Sequence, residues 1–166
     1  MNLRTLFATA VLAVAPLELQ SQDSGIPIGT RAPAFSIEDL DRKPVDVGQF
    51  IGKTPVLIEF WATWCENCRA LEPALLAAQK KHGARVKFIG VAVSFNESVE
   101  RVKLYAQKHG LAHQILYDRK GDATTAYEVP ATSYVVVIDR TGKVVYTGLG
   151  GDQNLEAALA KVDPAR

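Results

Sequence analysis

The stretch "PVLIEFWATWCENCRALEPALLAAQKKHG", residues 55–83, constrains the fold more than any other part of the chain. Residues 55–62 form a continuous apolar run bounded by Pro55 and a pair of cysteines, the pattern of a buried central strand. From Cys65 to His82, Ala70, Leu71, Ala74, Leu75 and Ala78 recur at three- and four-residue steps, and Gly83 follows as a stop. That spacing predicts an amphipathic helix starting where the strand ends.

The flanking segments continue the alternation. Residues 22–30, "QDSGIPIGT", read as a polar connector, and the runs at 35–37 and 44–47 predict a hairpin about a polar turn. Beyond Gly83 come a second buried strand (85–95), a capped helix (96–110), a strand (113–118), a short helix (121–129), two strands around the turn "RTG" (132–139 and 143–148) and a last helix from Asp152 to Val162. Strands alternating with helices and closing on a hairpin imply a mixed sheet covered on both faces. A chain of 166 residues accommodates one such domain, placed at 31–166.

Residues 1–21 differ from the rest: Arg4 precedes an apolar run from Leu6 to Leu17 broken by Thr9 and Pro16. The run falls short of the ~20 residues a spanning helix needs and suits the core of a secretory signal. A mature start near Gln22 is expected, with an uncleaved tether as the alternative. The net charge is +1 with Lys and Arg scattered, which sets aside nucleic acid and anionic lipid as partners.

Cys65 and Cys68 are the only cysteines. As a structural staple they close a ring of about four residues, for which loop-closure entropy gives only ~2 kcal/mol. As half of a zinc site they lack a second Cys pair or Cys-His cluster, and His82, His109 and His113 are expected to be solvated. As a redox pair they are well placed, because unpaired amides and the positive end of the helix stabilise a thiolate at Cys65. Cys65 is therefore expected to be the more exposed nucleophile and Cys68 the buried resolving thiol. Trp64 is expected to offer a flat apolar contact to a partner, with Trp61 packed beneath.

"FWATWCENC" resembles the active-site stretch of the thioredoxin superfamily, and within it the exported TlpA/ResA-like thiol-disulfide oxidoreductases. The likeness covers about residues 31–160: Pro73, five residues past Cys68, matches the proline that kinks the family's first long helix, and "TAYEV…VVVIDRTGKVVYTG" resembles its closing strands. The resemblance implies an α/β, thioredoxin-like fold with a mixed central sheet, helices on both faces and an N-terminal β-hairpin. It also implies a reductase passing electrons from the Cys65–Cys68 dithiol to disulfides or oxidised thiols of exported, periplasmic partner proteins, in work such as cytochrome c maturation. A membrane-borne thiol reductant would recharge it, and no cofactor is expected beyond the redox-active disulfide.

Glu59 stands six residues before Cys65, where cytosolic thioredoxins carry a buried acid and many exported relatives carry Asn. Burial would raise its pKa and fit it to take the Cys68 proton, unless it simply reaches the sheet edge. Glu66 matches the acid within the ResA-like motif. At about 6 Å its charge would oppose a Cys65 thiolate by roughly 0.7–2.8 kcal/mol. The family's cis-proline slot falls on Ser133, with Thr132 before it and an ordinary trans peptide, or, if the strand is longer, on Pro130, three positions earlier, as the cis residue. Thr132, Ser133 and Pro130 are thus the candidates for holding a substrate strand. A hydroxyl in that slot keeps a copper- or zinc-binding module on the same thiols as the alternative. A peroxidase is disfavoured, since Thr63 lies two rather than three residues before Cys65. A non-catalytic interaction domain is the remaining rival.

Overall fold

The computed structural model describes residues 25–164. The expected leader and the start near Gln22 lie outside the described residues. Of the expected connector, residues 25–30 are fastened to the body: Ile26 is buried, its N–H donates to the Tyr127 carbonyl at 3.2 Å, and the Gly29 N–H donates to the Val144 carbonyl at 2.8 Å.

The elements run β1 (Ser36–Asp39), β2 (Pro44–Asp46), β3 (Val56–Trp61), α1 (Glu66–His82), β4 (Lys87–Val93), α2 (Val99–His109), β5 (Gln114–Asp118), α3 (Asp122–Ala126), β6 (Tyr134–Ile138), β7 (Val144–Leu149) and α4 (Leu155–Leu159). They build one seven-stranded sheet in the order β2-β1-β5-β4-β3-β6-β7. Strands β3, β4 and β5 are parallel, and the hairpin β1–β2 and the pair β6–β7 join the sheet antiparallel. This is the thioredoxin-like mixed sheet with an N-terminal hairpin.

Strand β3 is buried at all six positions because both its edges are paired and both its faces covered. Its alternation divides the core. Val56, Ile58 and Phe60 pack with Leu116, Tyr127 and Tyr134, whereas Leu57 packs with Leu71 and Leu75 of α1 and Leu159 of α4. Trp61, on the same side as Leu57, packs with both cysteines and Val102 of α2. Glu59 falls between these last two clusters.

Helix α1 buries Cys68, Leu71, Leu75, Ala78 and His82, one stripe at helical spacing. Glu66 stands in its first turn and Lys80, Lys81 and His82 in its last, each complementing the helix dipole. Pro73 lies inside the helix, where its missing N–H leaves the Arg69 carbonyl without the usual partner. Helix α4 is shorter than expected and begins only at Leu155, because the Asn154 side chain accepts from the Ala157 N–H and caps it there.

Candidate active site

Cys65 is the N-cap of α1, its backbone extended at φ −77° and ψ 114°, and its Sγ accepts the Cys68 N–H at 3.0 Å. A disulfide joins Cys65 to Cys68. In this bonded state the outer sulfur is no more open than the inner one: Cys65 is 4% exposed and Cys68 6%. The expectation of a more exposed Cys65 does not hold here, since the cap geometry folds its sulfur over the first turn and against the Trp61 and Ala92 cluster.

On β3, six residues before Cys65, Glu59 is 5% exposed and takes no hydrogen bond from another described residue. It does not reach a sheet edge, because β4 and β6 flank it, opposite Gly90 and Val135. Burial pushes its carboxyl up to about 8, and the charge of Glu72 adds to the effect. Gly90, the partner of Glu59 on β4, lets two rings approach the backbone: a Cβ there would lie 3.0 Å from both Trp61 Nε1 and His113 Nε2. Burial drives the His113 imidazole down to about 4, so it is neutral at ordinary pH, and its Nδ1 lies 3.4 Å from Gln79 Oε1.

Glu72, one turn beyond Cys68 on α1, is held from α2. Tyr105 Oη donates to its Oε2 at 2.9 Å, His109 Nδ1 pairs with its Oε1 at 2.8 Å, and the two rings stack with centroids 3.8 Å apart. The histidines are therefore not the solvated residues expected. His109 is tied to Glu72, His113 is half-buried, and His82 is buried at the far end of α1, where its Nδ1 lies 2.6 Å from Asp163 Oδ2. Position 82 continues the buried 68-71-75-78 stripe, so its place was readable in the spacing.

The loop before Cys65 is anchored by a residue that sequence reasoning missed. The Glu97 side chain, wholly buried, accepts the Thr63 N–H at 2.7 Å and the Ser98 N–H at 2.9 Å and pairs with Arg101 Nε at 3.1 Å. Trp64 is exposed, its Nε1–H donates to the Phe95 carbonyl at 2.9 Å, and its ring meets that of Phe95 edge-on. Trp64, Val93, Phe95, Val129, Ala131 and Thr132 line a groove of about 470 Å³. The structure thus brings Trp64 and Thr132 together, while Pro130 is exposed outside that lining.

No cis peptide bond occurs among the described residues, so Pro130 is not a cis residue; β6 begins only at Tyr134, and Ser133, directly before it, adopts the left-handed region at φ 64°. Its N–H donates to the Phe60 carbonyl at 2.8 Å and its hydroxyl to the Gly150 carbonyl at 2.9 Å. Among the described residues no three His, Cys, Asp or Glu side chains cluster in a manner suited to a metal ion. Glu66 is exposed in the first turn of α1.

The profile of the Redoxin family matches residues 27–162. The chain belongs to the Redoxin family. It is a thioredoxin-superfamily protein of the TlpA/ResA-like kind, in a family of thiol-disulfide oxidoreductases. It is 28% identical over 149 residues to the thiol-disulfide oxidoreductase ResA of Geobacillus thermodenitrificans, covering 87% of this chain and 83% of that one. It is 30% identical over 141 residues to the thioredoxin-like protein YneN of Bacillus subtilis, covering 83% and 82%. A solved thiol:disulfide interchange protein of Chlorobium tepidum superimposes with a TM-score of 0.67 at 28% identity, covering 78% of this chain and 91% of that one.

Proposed function

We propose that the chain is an exported reductase of protein disulfides. The observation that carries the reading is a disulfide at the cap of α1, following a strand that buries an unpaired carboxyl, Glu59, close enough to Glu72 of α1 to feel its charge. In the dithiol form the Cys65 thiolate attacks one sulfur of a client disulfide. That bond breaks, the client's other sulfur leaves as a thiolate, and a mixed disulfide forms. Glu59 takes the Cys68 proton, the Cys68 thiolate attacks Cys65 Sγ, and the client's second sulfur departs. Two electrons have passed to the client, and the chain is left bonded as in this structure.

The Trp64–Thr132 groove receives the client chain next to Cys65, and Ser133 fixes the approach of Thr132 through its bonds to Phe60 and Gly150. Pro130 shapes the loop leading there. Glu66 opposes the thiolate and biases the pair toward reducing work. The basic start and apolar run of residues 1–21 support export to the periplasm, where a membrane-borne thiol reductant recharges the chain. No helix among the described residues is long and apolar enough to cross a membrane.

The test is trapping. Cys68→Ser, expressed in full, should accumulate mixed disulfides through Cys65, and Cys65→Ser should accumulate none. Capture by Cys65→Ser instead, or by neither variant, would refute the assignment of roles.

A further inference from the structure

A second groove, of about 510 Å³, runs between α1 and α2 beside the reactive junction, lined in part by Thr63, Arg69, Arg101, Leu104 and Lys108. Arg101, Leu104, Tyr105 and Lys108 stand at i, i+3, i+4 and i+7 and so share one face of α2. Arg69 comes from the first turns of α1, its N–H bonded to the Cys65 carbonyl at 3.2 Å, which puts this cation one turn from the nucleophile. In a chain whose net charge is +1, three cations on one groove are a local excess.

The neighbouring carboxylates offset Arg101 but pair with neither Arg69 nor Lys108. Glu97 is spent on Arg101 and the Thr63 and Ser98 amides, and Glu72 is taken up by Tyr105 and His109. The Arg69 and Lys108 side chains make no ion pair with any described residue, and Leu104 between them is 66% exposed. An apolar contact framed by unspent cations complements one kind of occupant.

We propose that this groove receives an acidic stretch of the polypeptide whose disulfide the chain reduces, with carboxylates on Arg69 and Lys108 and an apolar side chain on Leu104. The proposal rests on the reductase reading for where the client's sulfur must lie. The Arg101–Glu97–Thr63 chain of contacts ties the groove to the loop that carries Cys65, so a bound segment is held in fixed relation to the sulfur.

Two disulfide-bridged peptides of equal length test it, one with Glu-Leu-Asp flanks and one with Lys-Leu-Lys flanks, each mixed with the reduced full chain. The acidic peptide should react about tenfold faster at low ionic strength. The gap should close in about 0.5 M salt, where screening acts within a few ångströms. Arg69→Gln/Lys108→Gln should abolish the preference. Lys53→Gln/Lys80→Gln, the same charge change on exposed side chains outside the groove, should keep it. A cysteine-free acidic peptide titrated against the oxidised chain reads the groove independently of electron transfer. If neither bridged peptide is reduced yet this one binds and is displaced by salt, the reductase reading fails and the groove stands. Equal rates with no such binding overturn the proposal, as does a preference that survives in the Arg69/Lys108 variant. So does sedimentation showing two copies of the chain closed over Leu104 and released by Leu104→Asp.

Discussion

The two ends of α1 bury acids in opposite ways. Near its start, Glu59 of β3 is buried without a hydrogen bond to another described residue, and burial with the nearby Glu72 charge holds its carboxyl near 8. At its end, Asp163 accepts from Arg85 Nε at 2.6 Å and Nη2 at 2.8 Å and from His82, and these bonds drive its carboxyl well below the usual range. Glu156 of α4 adds contacts to Lys81 and His82. The last turn of α1 thus meets a satisfied charge cluster where it docks α4, while the strand that leads into its first turn holds an unsatisfied acid. An acid whose bonds are all made has nothing left to exchange, whereas one held near neutral pH can give and take a proton.

The largest expected effect comes from removing the reactive end of that contrast. Glu59→Gln should slow Cys68's attack on the mixed disulfide about a hundredfold, read by rapid-quench of a Cys65-linked peptide, while the first attack by Cys65 changes little. The same substitution reports on stability. Between the ordinary carboxylate range and about 8 the folded chain binds more proton than the unfolded one, so the oxidised protein should lose stability as pH rises through that window. The loss is on the order of a few kcal/mol, and urea titrations of Glu59→Gln should show it gone.

Asp163→Asn acts at the other end and should lower the melting temperature by a few degrees at pH 7 while leaving the exchange rate alone. Here the folded pKa is depressed, so the stabilisation is present above the unfolded carboxylate pKa and is lost as pH falls toward the folded value. The gap between variant and parent should therefore narrow below about pH 4. The smallest effect is Glu66→Gln, which should lower the Cys65 pKa by about half a unit and raise the reduction potential by about 15 mV. Unchanged values in a glutathione redox titration would remove Glu66 from the tuning of the pair.

How much of this was legible depended on how local each signal was. The buried run at 55–62, the helix closed by Gly83 and the hairpin of β1 and β2 follow from short-range patterns, and the structure places them within a few residues of expectation. The strand-to-helix position of the cysteines was equally local. The contacts that finish the site were not: Thr63 meets Glu97, and Glu72 meets Tyr105 and His109, across more than thirty residues of chain. Only the sheet order, which brings α2 against the start of α1, makes those meetings possible. The openness of Cys65 was misjudged for a different reason, since a position at a helix start says nothing of how a bonded sulfur is turned.

The sulfur expected to react first is also the acceptor that fastens the opening turn of its helix. Any experiment that deletes it therefore risks confusing lost chemistry with a frayed scaffold. A hydroxyl at position 65 preserves the fastening, whereas a methyl group surrenders it at about 1 kcal/mol, so serine rather than alanine is the fair inactive control.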